Sequence, residues 1–405
     1  MAIEINLSDR CNLKCSWCYM GDAGASKGCG QGPNWDRTKS YLEWYFYGQK
    51  EDHLKHITPG VVIMGGEPTY EWGDLEKTVE WCKQNPVNGK EISINMTTNV
   101  TLLNEERIIY LKQNNVKLQL GVDGCPEAQD MYRVYADGSG TSSIVDKNLR
   151  LLVKYGQRSA RLTYAPNNVE FLYKSILYLY EDIGLSNVAY VPTYQSEGWT
   201  EDKLSIMKTQ LELITEWYID KVKKTKKTFP LFHLRNAGRI IDSMKNGRRG
   251  TGCSRSLRTF AVDTLGNIWP CHRFCNSNAP LHWSYGNVNQ GGITNTTMID
   301  IIKKTQQIQE KIYNKPECST CVLQGVCNAN CWGEIMTTSH SISEGTLQFD
   351  IPFHKCEHMK IEYITGKKAF DELQPLGFDA YPKKNKNTTR RDDSRTILTK
   401  GENNE

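Results

Sequence analysis

Cys11, Cys15 and Cys18 stand three and two residues apart in the run Asp9-Arg10-Cys11-Asn12-Leu13-Lys14-Cys15-Ser16-Trp17-Cys18-Tyr19. A cubane four-iron cluster is normally held by four thiolates, so a compact trio leaves one iron for a ligand that is not protein. Zinc also accepts thiolates at close spacing, and a zinc knuckle is the alternative for these residues taken alone. A second constellation lies in the other half of the chain: Cys253, Gly266 and Cys271, then Cys318, Cys321, Cys327 and Cys331, and finally Cys356. These thiolates exceed what one zinc or one cubane needs, and two auxiliary clusters accommodate them. A pair of zinc ribbons with Cys275 completing the ligand set is the alternative.

Further residues with chemistry to offer sit in short turns. In Gly65-Gly66-Glu67-Pro68 the glycines allow close backbone approach to a ligand, and Glu67 can accept from an ammonium group. Thr97-Thr98-Asn99-Val100-Thr101 follows, then Gly121-Val122-Asp123-Gly124 and Gln129-Asp130-Met131-Tyr132-Arg133. Arg133 can hold a carboxylate through its bidentate fork or serve as a structural ion-pair partner.

The elements that must position these residues alternate. Apolar strand-like runs fall at 3–7, 61–64, 92–96, 118–122, 160–164 and 188–191. Helix-period stretches lie between them at 41–47, 75–82, 105–111, 144–153 and 169–180. This pattern predicts an α/β fold of parallel strands joined by helical crossovers, with chemistry in the loops after the strands. The chain has 405 residues, 14 cysteines and a net charge of +4. No signal peptide or apolar span is visible, which points the thiols towards metal or redox use in a reducing, cytoplasmic setting. Nothing in the charge pattern calls for nucleic acid or a membrane as partner.

Together these motifs resemble the radical S-adenosylmethionine (SAM) enzymes that carry a C-terminal SPASM domain. The CxxxCxxC run followed by an aromatic, the GGEP turn and the seven-cysteine series carry the likeness. It implies a partial (β/α)6 barrel, a small cysteine-rich SPASM domain and a polar tail expected to be disordered. The expected divisions are 1–225 for the barrel, 226–250 for a connecting segment, 251–366 for the SPASM domain and 367–405 for the tail. The implied cofactors are SAM and three 4Fe-4S clusters. Cys11, Cys15 and Cys18 would hold the SAM-binding cluster. Cys253, Cys271 and Cys331 would hold an inner auxiliary cluster, with Cys275 a candidate fourth ligand. Cys318, Cys321, Cys327 and Cys356 would hold the outer one. SAM contacts carried over are Tyr19, Gly65, Gly66, Glu67, Thr97, Asn99, Arg133 and Val191. Val100 stands where the family's turn has glycine, and Gln129 where it has histidine.

The resemblance further implies a maturase of peptides or proteins that abstracts hydrogen from a residue of a ribosomally made substrate, with a crosslink formed by net oxidation. Three other outcomes compete. Sulfatase maturation would place an aspartate as base after the second SPASM cysteine, where this chain has His272. Epimerisation would need a thiol hydrogen donor, for which Cys29 and Cys125 are candidates. A non-catalytic iron-sulfur or zinc protein is the remaining alternative. Because the first strand begins at residue 3, a leader-binding module is expected to be absent or a separate protein, so that either a stand-alone partner presents the peptide or the barrel mouth and SPASM region recognise it; a flavodoxin or ferredoxin is the expected electron donor.

Overall fold

The computed structural model of the chain describes residues 2–18, 20, 32–48, 58–193, 198–246, 259–275, 281–294, 298–301, 303, 307, 314–323, 327 and 353–378. Six parallel strands succeed one another in space as in sequence: β1 (Ala2–Asn6), β2 (Gly60–Met64), β3 (Ser93–Thr98), β4 (Lys117–Val122), β5 (Ser159–Tyr164) and β6 (Asn187–Pro192). Each lies within two residues of a strand expected from the apolar runs. The crossovers hold α1 (Trp35–Tyr47), α2 (Trp72–Gln84), α3 (Glu105–Gln113), α4 (Pro126–Tyr132), α5 (Ser142–Lys154) and α6 (Leu172–Leu177). Side-chain caps start two of these helices: Asn34 Oδ1 accepts from Arg37 N at 3.0 Å, and Asn104 Oδ1 from Arg107 N at 2.9 Å. Each such cap contributes about 1 kcal/mol by satisfying an otherwise orphaned amide.

The strands separate two environments by their two-residue period. Ile3, Ile5, Val61, Ile63, Ile94, Met96, Leu120, Val122, Leu162 and Tyr190 are buried in the principal hydrophobic core. The alternate positions, including Asn95 and Thr97 on β3, Gln119 on β4, Arg161 on β5 and Ala189 and Val191 on β6, line an open lumen. A closed eight-stranded barrel fills this space with apolar side chains. Here the lumen is open and carries polar side chains among apolar ones.

The sheet does not stop at β1. Strand β7 (Thr259–Val262) pairs parallel with it, Ile3 opposite Phe260 and Ile5 opposite Val262. An antiparallel series of β8 (Asn267–Trp269), β9 (Gly286–Asn287) and β10 (Gly292–Ile293) continues outward. The result is one ten-stranded sheet in the order β10-β9-β8-β7-β1-β2-β3-β4-β5-β6. The cysteine-rich half is therefore hydrogen-bonded directly to the first barrel strand. The expected division at 250/251 falls just before this joining strand.

Beyond β6, α7 (Glu201–Thr225) and α8 (Phe232–Lys245) pack with a C-terminal helix, Phe353–Leu373. That helix runs through the expected start of the polar tail at 367, and Ala369 and Leu373 are fully buried. The tail boundary belongs after it. Residues 379–405 lie outside the described residues.

A buried histidine ties this far end together. His233 of α8 takes the Tyr190 hydroxyl at Nδ1, and its Nε2 lies 2.8 Å from Thr215 Oγ1, which donates to the Leu211 carbonyl at 2.8 Å. Nδ1 accepting and Nε2–H donating satisfies every group with a neutral ring. Burial pushes the His233 pKa down to about 3. The sign follows from linkage: the unfolded chain takes up a proton near pH 6.5 that the folded chain refuses. This site's contribution is complete above that value and declines towards pH 3, by about 1.4 kcal/mol per pH unit at most. Thermal midpoints of the wild type and His233→Gln should therefore differ most at pH 7 and converge towards pH 4.

Candidate active site

The loop after β1 carries Cys11, Cys15 and Cys18 with little regular structure of its own, and neighbouring turns hold its shape. The turn after β2 abuts it. Gly66 N donates to Ser8 O at 3.0 Å and Glu67 N to Arg10 O at 2.9 Å. A Cβ on Gly65 would stand 2.3 Å from Ser8 O, and one on Gly66 would stand 2.1 Å from Arg10 O. Gly65 also adopts φ +132°, which favours glycine. These glycines therefore admit the cysteine loop itself to close backbone contact.

Glu67 is buried and ties two turns. Its Oε1 accepts from Thr69 N at 3.0 Å and Thr98 Oγ1 at 2.7 Å, and its Oε2 from Asn99 N at 2.6 Å. Burial raises its pKa, while these donors pull the other way. Asn99 continues the linkage: its Nδ2 donates to Asn12 Oδ1 at 3.0 Å and lies 3.8 Å from Cys11 Sγ, and its Oδ1 accepts from Thr101 N at 3.0 Å. From the other side, Arg10 forms a two-pronged bond to Glu71, Nε to Oε1 at 2.7 Å and Nη2 to Oε2 at 2.9 Å. Thr264, beyond β7, donates to Asp9 Oδ2 at 2.7 Å.

Val100, in place of the family's glycine, keeps the glycine-like conformation, with φ +75°. Its amide donates to Thr98 Oγ1 at 3.1 Å and its carbonyl accepts from Asn148 Nδ2 at 2.9 Å. A β-branched residue there carries about 1–2 kcal/mol of strain, which the surrounding bonds and full burial sustain.

Arg133 is an ion-pair partner. Its Nε donates to Asp123 Oδ1 at 2.8 Å, and its guanidinium lies 4.7 Å from the centre of the Trp17 ring. Both partners are buried, and burial raises the Asp123 carboxyl to about 6 although Arg133 favours its charged form. Gln129 supports the pair from its own position: its Oε1 accepts from Asp123 N at 2.8 Å, its Nε2 donates to Thr141 Oγ1 at 3.0 Å, and Thr141 donates to the Arg133 carbonyl at 2.7 Å. Sequence reasoning offered the Arg133 fork to a carboxylate or to a structural ion pair; Asp123 occupies its Nε. The arginine's charge acts on the thiols instead. Burial pushes Cys11 and Cys15 up to about 12 and also raises Cys18, while Arg133 lowers Cys15 and Cys18. Arg273, which sequence reasoning missed, also lowers Cys18. Its position directly after His272 was the available signal.

Thr97 and Val191 face the lumen. His272 is fixed by β1: its amide and Nδ1 lie 2.9 and 3.0 Å from Glu4 Oε2. Cys125 is 1% exposed, with Ser175 Oγ donating to its sulfur at 3.4 Å. That places it in the wall between α4 and α6. Cys82 is a core residue. Tyr19, Cys29, Cys253 and Cys331 lie outside the described residues.

In the second half Cys271 and Cys275 are close enough for the charge of one to raise the other, and Cys275 is buried. Cys318, Cys321 and Cys327 all act on Cys356 in the same way, although the C-terminal helix supplies it from far along the chain. Backbone turns set this trio: Cys321 N donates to Cys318 O at 3.2 Å and Cys327 N to Leu323 O at 2.9 Å. Among the described residues no three His, Cys, Asp or Glu side chains are arranged to hold a single metal ion. The fit to iron-sulfur clusters rests on the donor chemistry: two all-thiol sets, one of them a trio beside two arginines that favour anionic sulfur.

Arg133→Gln should leave Asp123 buried without its counter-charge. An unfolding titration should show a loss of about 3 kcal/mol, and Asp123→Asn in the same background should recover part of it.

Residues 5–170 match the Radical SAM superfamily. A cysteine-type anaerobic sulfatase-maturating enzyme of Clostridium perfringens is 22% identical over 334 residues, covering 80% of this chain and 86% of the relative. A protein of Methanocaldococcus jannaschii without an assigned role is 25% identical over 178 residues, 43% of this chain; the match spans only 57% of that relative. Among solved structures, native anSMEcpe with bound AdoMet superposes with a TM-score of 0.67 at 16% identity, over 93% of this chain and 98% of that one. Native anSMEcpe with bound AdoMet and Cp18Cys peptide gives 0.66 at 17%, over 93% and 98%. At such identities the likeness shows the fold. Residues 5–170 thus carry a radical SAM domain, and with the cysteine loop and its supporting turns these matches support an enzyme using radical chemistry, with a cysteine-rich C-terminal region consistent with the SPASM type.

Proposed function

We propose that this enzyme matures a ribosomally made peptide by abstracting hydrogen from one of its residues, with a crosslink formed by net oxidation. The observation that carries the reading is the pairing of a thiol trio at the barrel mouth with a second thiol set, Cys318, Cys321, Cys327 and Cys356, brought together by the C-terminal helix. Two auxiliary four-iron clusters are part of the proposal, the inner one on Cys253, Cys271 and Cys331 with Cys275 as fourth ligand, and they would give a second electron a place to go. SAM and its reduced cluster supply, when bound, a strongly oxidising carbon radical.

The chain's own residues do the positioning. Cys11, Cys15 and Cys18 hold the first cluster. Glu67 and Asn99 fix the turns over it, while Tyr19, Gly65, Gly66, Thr97, Arg133 and Val191 complete the SAM surroundings by the family likeness. His272 is the candidate acceptor for the substrate proton; Glu4 orients its ring through Nδ1, so proton transfer would run through Nε2. Flavodoxin or ferredoxin as electron donor and a separate leader-binding protein belong to the same proposal. Among the described residues no helix is long and apolar enough to cross a membrane.

A second reading is favoured by the match across most of the C. perfringens maturase: conversion of a sulfatase residue to formylglycine. Anaerobic incubation with SAM and dithionite should release 5'-deoxyadenosine under either reading. A small peptide encoded beside the gene, co-produced with the enzyme, separates them. A crosslink gives net loss of a hydrogen pair and a gap in the fragment series spanning the bridge. Formylglycine gives an aldehyde that hydrazine reagents trap. Absence of deoxyadenosine would overturn both.

A further inference from the structure

The lumen wall carries a charge pattern that the proposed chemistry does not use. A cavity of about 410 Å³ extends down the strands from Thr97 and Val191. Its polar wall is Asn95, Lys117, Gln119, Arg161, Asn187 and Arg235. Three cations and three side-chain amides face it, and among the described residues no aspartate or glutamate lines it. Lys117 and Arg235 make no ion pair with a carboxylate among the described residues. Arg235 lies with its guanidinium 4.9 Å from the centre of the Phe232 ring, and both belong to the first turns of the 14-residue helix α8. The α8 amino end adds partial positive charge on the same side. Glu4 of β1 accepts from the His272 amide at 2.9 Å and lies 3.0 Å from its Nδ1.

Cations gathered in one concave wall raise the local potential for an anion, an effect that salt screens where a side chain such as Lys117 is exposed. Arginine held by stacking presents a planar donor edge suited to a carboxylate, and the neighbouring amides can donate to its remaining lone pairs. The cavity is continuous with Thr97 and Val191, so a group seated in it lies next to the residues proposed to contact SAM.

We infer that the lumen is a carboxylate subsite: Arg235 and Lys117 select a peptide that brings a carboxylate group into the barrel beside the residue to be modified. This deepens the peptide-maturase reading and rests on it. The carboxylate has two possible sources, an internal acidic side chain or a free C-terminus.

The test uses reconstituted, SAM-loaded enzyme at low ionic strength and three peptides of one otherwise neutral sequence. The first is capped at both ends with a central aspartate, the second is capped with asparagine there, and the third is the asparagine peptide with a free C-terminal carboxylate. Isothermal titration should show at least one carboxylate-bearing peptide binding about ten-fold tighter than the capped asparagine peptide, and which one does so identifies the source. That advantage should fall at least about three-fold in Arg235→Gln and in Lys117→Gln. Lys117 is exposed, so its variant keeps the test decisive if Arg235→Gln fails to fold. Equal binding of all three peptides, or an advantage that survives both substitutions, overturns the carboxylate subsite and leaves the peptide reading standing. If no peptide binds but glutarate does, with the same dependence on Arg235 and Lys117, the subsite stands and the peptide reading falls. If neither peptides nor glutarate bind, the subsite is overturned.

Discussion

The whole site depends on the contact between the turn after β2 and the loop after β1. Two backbones approach so closely at Gly65 and Gly66 that no side chain fits between them, and the bonds from Gly66 N and Glu67 N fix their relative height. A loop that must present three thiols to a cluster has no helix or strand to stiffen it. The stiffness is supplied by neighbours: Glu67 and Asn99 from the turns after β2 and β3, Glu71 through Arg10, and Thr264 from beyond β7. Each is a hydrogen-bonded polar group in a buried or half-buried place, where an unmade bond costs about 1–3 kcal/mol. The strained backbone of Val100 persists for the same reason.

Much of this was legible in the sequence, and the physical reason is the two-sided strand. Apolar residues at alternate positions face the helices whether or not the opposite face is polar, so all six barrel strands announced themselves. Spacing also marked the cysteines, because ligands within one loop must be near in sequence. Less legible was the purpose of particular side chains. The glycines of Gly65-Gly66 read as room for a ligand, and nothing in the sequence announced that the cysteine loop also packs against them. Arg133 offered two readings, and only the three-dimensional neighbour, Asp123 on the turn after β4, decided between them. Cys125 follows the right strand for a hydrogen donor, yet its partner Ser175 lies 50 residues away on α6, which no local pattern reports.

The second half shows the same limit on a larger scale. Strand β7 has only four residues and gains its place by pairing with β1, more than 250 residues earlier. The C-terminal helix carries a shallow amphipathic pattern, yet it delivers Cys356 to the outer thiol set and seals α7 and α8. Gly366 permits this, since a Cβ there would stand 2.5 Å from that of Ala237. Polar composition beyond residue 367 suggested a tail because the buried residues Ala369 and Leu373 are sparse and recur at helical spacing. The outer thiol set and the fold thus meet at one element that packing alone would have made ordinary.

The central claim is that Cys11, Cys15 and Cys18 hold a four-iron cluster with one iron open to SAM. Electron paramagnetic resonance of the anaerobically reconstituted, reduced variant in which Cys318, Cys321, Cys327 and Cys356 are all alanine tests it most directly, since it removes the outer thiol set proposed to hold an auxiliary cluster. The account predicts a reduced-cluster signal whose g-values shift when SAM is added. A signal that ignores SAM, or a trio that binds zinc and gives none, would contradict it.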